Sequence, residues 1–164
     1  MSCVSEPHNL LQRLSDAGID FVVVGGVAAV LHGSSLVTRD LDVCAELTGQ
    51  NLQRLRDAFR DLHPVHRIGP ERLSFLEVPG PGASLRNLYL QTDLGALDLL
   101  GTISGVGDFD QVRASAVVVD LFGRKVKVIG IEQLIKAKEV MGRQKDLLAA
   151  MELRAIAARR DLEP

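Results

Sequence analysis

Two aspartates, Asp40 and Asp42, stand two residues apart in the run LVTRDLDVCAEL, and a third, Asp98, lies inside the apolar run ALDLL. Aspartate is depleted in strands, and carboxylates gathered on one buried face repel each other and resist ionisation. Such a pattern calls for compensation. On a strand, positions 40 and 42 project from one face about 6–7 Å apart, a spacing at which carboxylates share or flank divalent cations. It suits equally a solvent-facing pair at a strand end or an Asx turn. Asp98 sits between Leu97 and Leu99, which predicts a half-buried carboxylate, and buried aspartates are seldom left unpaired. Its partner is either a cation shared with the other two or an arginine such as Arg39 or Arg86.

Two further features bear on anions. Gly25-Gly26 follows the apolar stretch IDFVVV at a predicted strand-to-helix junction. Backbone N–H groups there can face a phosphate with no side chain in the way, although a tight turn with close strand–helix packing explains the pair as well. In IKAKEVMGRQKDLL, Lys136, Lys138, Arg143 and Lys145 surround a helix–Gly–helix corner, with Asp146 opening the next helix. These cations suit phosphate groups; a solvated basic face is the alternative.

The elements that must position these groups follow from periodicity. Leu10, Leu11, Leu14 and Ala17 recur at helical spacing before Gly18. The strand IDFVVVGG, the short helix VAAVLHG and the alternating strand LVTRDLDVCAEL come next, then an amphipathic helix over GQNLQRLRDAFRDL. Strand-like pieces RLSFLEV, LRNLYLQT and ALDLLGTI follow, the last two joined by the tight turn DLG. ASAVVVDLFGRKVKVIG reads as a hairpin, and two helices, IEQLIKAKEVMG and RQKDLLAAMELRAIAARRDL, end the chain. The order predicts an α+β fold with a mixed, mostly antiparallel sheet flanked by helices and a C-terminal helix pair. No internal boundary is visible, so residues 1–164 are expected to form one domain.

The 164 residues carry a net charge of −2, which excludes an overall basic field for nucleic acid or membrane. No apolar run approaches the length of a membrane span, and no membrane partner is expected. One Tyr, five Phe and no Trp argue against an aromatic base-stacking platform. Cys3 and Cys44 make neither a disulfide framework nor a zinc motif, so a reduced, cytoplasmic setting is expected. His32 is placed as a helix-end group, His63 and His66 as surface loop residues, and Cys44 as core packing.

VVVGGVAAVLHG, TRDLDV, DLGALDLLG and LIKAKEVMGRQKDL, in this order over about residues 20–155, resemble the nucleotidyltransferase superfamily with its polymerase-beta-like fold. The likeness is to the small branch of minimal nucleotidyltransferases and abortive-infection toxins. It implies that Asp40, Asp42 and Asp98 are the catalytic carboxylates and hold Mg²⁺ or Mn²⁺, and that Gly25 and Gly26 cradle phosphate. It also implies nucleotide-binding roles for Lys138, Arg143 and Asp146. Gly26 stands where many members carry a serine, and Ser34 or Ser35 is the expected substitute; Leu36 and Ala149 stand where relatives carry an arginine and an acidic residue. The implied activity is transfer of an NMP from an NTP, ATP included, to an acceptor hydroxyl on a protein, a tRNA or a small molecule, with a cognate toxin or antitoxin as a further partner. A catalytically inactive nucleotide-binding or partner-binding module is the alternative, and a structural domain whose aspartates make salt bridges is the third.

Overall fold

The computed structural model describes residues 7–163; Cys3 lies outside the described residues. Helix α1 (Pro7–Asp16) buries Leu10, Leu11 and Leu14 and gives way to Gly18, whose φ of +74° few other residues adopt. Strand β1 (Val22–Val24) is three buried valines, and helix α2 (Gly25–Leu31) begins on the glycine pair itself. Strand β2 (Leu41–Cys44) carries Asp42. Helix α3 (Gly49–Phe59) is capped by the Thr48 hydroxyl, which accepts from Asn51 N at 3.1 Å, and runs into a short 3-10 turn.

Strands β3 (Val65–His66), β4 (Asn87–Thr92) and β5 (Gly95–Leu100) follow, then a small ribbon of β6 (Thr102–Ile103) and β7 (Gly107–Asp108). Helix α4 (Phe109–Ala114), the hairpin β8 (Val117–Leu121) and β9 (Arg124–Val128), and helices α5 (Ile131–Met141) and α6 (Gln144–Leu162) complete the order. Gly142, at φ +71°, turns α5 into α6.

Seven strands form one sheet in the order β3-β4-β5-β2-β1-β9-β8. Only β2/β5 and β1/β9 pair in parallel; every other neighbouring pair is antiparallel. This is the mixed α+β sheet with a C-terminal helix pair that the sequence predicts. The register matters most for the site. Val24 pairs with Asp42, Asp42 with Asp98, and Asp98 with Tyr89, so one row crosses β1, β2, β5 and β4. The alternate residues Leu41, Val43, Leu97 and Leu99 are completely buried. Alternation therefore commits one face to the core and turns both aspartates to the other.

Several boundaries differ from the sequence expectation. Residues 36–40 are irregular rather than strand, and Val37 is 90% exposed. RLSFLEV forms no strand: His66 N donates to Leu73 O and Phe75 N to Pro64 O, both at 2.9 Å, but only Phe75 reaches the core. Helix α4 is too short to show a period; its sequence signal is the capping box of Asp108 and Gln111. No described helix is long and apolar enough to cross a membrane.

Candidate active site

Asp42 and Asp98 are register partners on adjacent parallel strands, which holds their carboxylates side by side. Asp42 lines a cleft of about 340 Å³ together with Gly25, Tyr89, Lys138, Arg143 and Asp146, and Asp98 stands beside it in the next strand without lining the cleft itself. Asp40 lies in the bend just before β2, exposed, near enough for its charge to act on Asp42. Burial pushes the Asp42 carboxyl up to about 6; the charges of Asp98 and Asp40 push the same way, against the pull of Lys138.

Both glycines are needed by what faces them. Gly25 has φ +64°, and a Cβ there would come within 3.0 Å of Asp42 Cβ and Cγ and closer still to Oδ2. The backbone of the turn therefore lies directly against the Asp42 carboxylate. A Cβ on Gly26 would meet Thr38 Oγ1 at 2.5 Å and Thr38 Cβ at 2.9 Å. A serine at position 26 would not fit beside Thr38, which accounts for glycine there.

Across the cleft, Asp146 at the head of α6 is 1% exposed and gathers the cations. Arg143 Nε donates to its Oδ2 at 2.6 Å, and Lys138 Nζ stands 3.8 Å from Oδ1. The Arg143 hydrogen bond holds the Asp146 carboxyl below the usual carboxylate range, helped by the charges of Arg143 and Lys138 against its burial. Asp146 thus fixes Lys138 and Arg143 at the cleft. Lys136 and Lys145 are exposed; Lys136 lines a different, wider depression behind α5 that holds none of the three aspartates.

No protein-family model matches the sequence, and no curated protein matches it. Solved structures do match, over nearly the whole chain. LnuA, a lincosamide antibiotic adenylyltransferase known in a lincomycin-bound crystal structure, superposes with a TM-score of 0.60 at 16% identity, over 93% of this chain and 98% of LnuA. An antigenic nucleotidyltransferase-like protein from Paracoccidioides brasiliensis gives 0.57 at 18% identity, over 92% of this chain and 72% of that one. A Thermotoga maritima protein provisionally classed as a nucleotidyltransferase gives 0.54 at 15% identity, over 92% of each chain. The chain has the nucleotidyltransferase fold.

The nucleotidyltransferase fold implies a divalent cation, and the residues present fit one. The available donors are carboxylate oxygens, the chemistry that suits Mg²⁺ or Mn²⁺. The crowding of Asp42 by Asp98 and Asp40 is what a dication relieves, and the missing Cβ of Gly25 lets the turn backbone come up against the Asp42 carboxylate. Among the described residues no three His, Cys, Asp or Glu side chains converge as a ready-made cage. The Asp98 carboxylate is engaged by the Arg67 guanidinium, so its partner is Arg67 rather than Arg39 or Arg86.

Ser34 is not brought to the cleft of this nucleotidyltransferase fold. Its hydroxyl and that of Ser35 both donate to Glu152 on α6, pinning the loop after α2. His32 caps α2: its Nε2 donates to Ile129 O at 2.7 Å, and its Nδ1 accepts from Arg160 Nη1 at 3.2 Å. His63 is exposed and pairs with Asp93 at 2.7 Å, and His66 meets Val78 O at 2.6 Å. Cys44 is fully buried, and burial pushes its thiol up to about 12, as core packing requires. Sequence reasoning missed Arg67 and Tyr89. Tyr89 was legible by alternation in LRNLYLQT, but Arg67 carries no local signal because β3 is only two residues long.

Proposed function

We propose that this chain is a metal-dependent nucleotidyltransferase that moves an NMP from an NTP to a hydroxyl of a small molecule. The observation that carries the reading is Asp42, register partner of Asp98, set against the Gly25 turn and facing Lys138 and Arg143 across one cleft. Asp40, Asp42 and Asp98 would hold a divalent cation, which when bound neutralises charge on the triphosphate. The N–H groups of Gly25 and Gly26 and the cations Lys138 and Arg143 bind phosphate oxygens, and Asp146 keeps the two cations aimed. The acceptor oxygen attacks the α-phosphorus as the bond to the β-phosphate oxygen breaks. The hydroxyl proton passes to a carboxylate, for which Asp98 is the candidate, and pyrophosphate leaves towards Lys138 and Arg143. Positioning and electrostatics supply most of the acceleration, as in phosphoryl transfer generally.

The small-molecule acceptor is favoured by LnuA, a lincosamide adenylyltransferase of which this chain covers 98%. One observation favours a second reading: with Asp98 paired to Arg67, the protein suits a nucleotide-binding module without turnover. The test is incubation with Mg²⁺ or Mn²⁺, each α-labelled NTP, and three acceptor pools: hydroxylated small molecules, RNA and lysate protein. Label on a small molecule, lost in Asp42→Asn, supports the proposal. Label that survives Asp42→Asn refutes the site. Label on tRNA or protein moves the acceptor to the macromolecules expected of abortive-infection toxins, and NTP binding with no transfer supports the binding module.

A further inference from the structure

We propose that Arg67 is a positioning residue that occupies the Asp98 carboxylate when nucleotide is absent, and that Arg67 and a divalent cation exclude each other there. The inference rests on the nucleotidyltransferase reading and adds a control to its metal site. Asp42 and Asp98 face each other in register, and without a cation something else must offset that crowding. Arg67 does so for Asp98 alone, through an ion pair in which both side chains are partly buried.

The geometry is that of a hold that can be released. Arg67 N donates to Tyr89 O at 2.9 Å, so the backbone is pinned while the long side chain reaches over to Asp98. Its guanidinium carbon stands 5.9 Å from the centre of the Tyr89 ring, and Tyr89 is the register partner of Asp98. Yet Arg67 Nε is buried and lacks an acceptor. The pose satisfies Asp98 and leaves Arg67 itself incompletely bonded, which lowers the cost of moving away. The residue follows a two-residue edge strand and precedes an irregular stretch over residues 67–86 with no strand or helix of its own. A guanidinium and a dication on the same oxygens repel, so binding of one must weaken the other. Arg67 thus sets the threshold at which the carboxylates accept a cation, and a cation carried in with NTP phosphates crosses it more readily than a free one.

The chain supplies its own probe. Tyr89 is the single tyrosine and there is no tryptophan, so Tb³⁺ luminescence excited through tyrosine reports an ion beside Asp98. Titrations with Tb³⁺ alone, with Mn²⁺ as competitor, compare wild type, Arg67→Gln, Asp98→Asn and the double variant. The expected result is about tenfold tighter binding in Arg67→Gln, a gain that vanishes on the Asp98→Asn background. Arg67→Lys, which keeps the charge but loses the planar fork, should fall between the two and serves if the glutamine variant does not fold. Equal affinity in wild type and both Arg67 variants, or the same gain with and without the Asp98 carboxylate, overturns this proposal and leaves nucleotidyl transfer standing. Absence of ion binding in every variant, with and without NTP, overturns both.

Discussion

Replacing Asp42 by asparagine should make the cation-free protein more stable at neutral pH, although it removes a candidate catalytic group. The carboxyl titrates at about 6 in the folded chain against an ordinary value of 3.8, and each pH unit of that gap is worth about 1.4 kcal/mol. Between those two values the native state holds a proton that the unfolded chain has already released. Stability is therefore unaffected at the acid end, falls as pH rises through the window, and stays lowered above it by about 3 kcal/mol. Asparagine has nearly the same shape and no charge, so the variant escapes that loss at every pH. Urea denaturation without divalent cation should show Asp42→Asn ahead by about 2–3 kcal/mol near pH 7 and by little near pH 4. Adding Mg²⁺ with NTP should stabilise wild type and close the difference. A variant less stable than wild type at neutral pH, or a difference equal at both pH values, would refute the claim that the fold holds this carboxylate under electrostatic strain.

Four other outcomes follow from the structure. Gly25→Ala adds left-handed backbone strain to a collision with Asp42, a loss of about 2–4 kcal/mol or roughly 5–12 °C in Tm by thermal denaturation. Gly26→Ala collides with the Thr38 side chain, so Thr38→Gly in the same chain should restore most of its loss, whereas truncating Asp42 relieves only the collision of Gly25→Ala and leaves its backbone strain. Asp146→Ala leaves the Lys138 ammonium and Arg143 without the carboxylate that aims them; about 2 kcal/mol of stability and most NTP affinity should go together, read by denaturation and by nucleotide titration. Burial, seconded by the Arg160 charge, holds His32 below its usual value, so the native ring stays neutral while the unfolded chain takes up the proton first as pH falls. His32 stability is thus complete above about pH 6.5 and declines below it, and His32→Gln should flatten that part of the stability–pH curve.

The parts of the site that the sequence displays are those written in short-range pattern. Alternation around Asp42 and Asp98 places both on the face opposite Leu41, Val43, Leu97 and Leu99, and the sheet register then makes them neighbours. The glycine stop at Gly142 likewise announces the corner on which Lys138, Arg143 and Asp146 meet. What stays hidden depends on contacts distant in the chain. Ser34 looks available in sequence, but Glu152, 118 residues away, takes its hydroxyl. Gly26 looks like a lost serine, while the folded chain shows Thr38 filling the space. Arg67 reaches Asp98 only because a two-residue strand pairs with β4 at the sheet edge, and such a strand has no period to read. The irregular run over residues 36–40 has strand-like alternation, yet only residues from Leu41 onward find a neighbouring strand.

In the proposed reaction the Asp42–Asp98 row and the Lys138–Arg143 corner act on one NTP, breaking its bond between the α- and β-phosphates. The most direct measurement is a paired incubation with α-labelled and γ-labelled NTP, in the presence of Mg²⁺ and a pool of hydroxylated small molecules, for wild type and Asp42→Asn. Wild type should move the α-label onto an acceptor and release the γ-label as pyrophosphate, and Asp42→Asn should do neither. Transfer of the γ-label to an acceptor, or α-label transfer undiminished in Asp42→Asn, would contradict the proposed reaction.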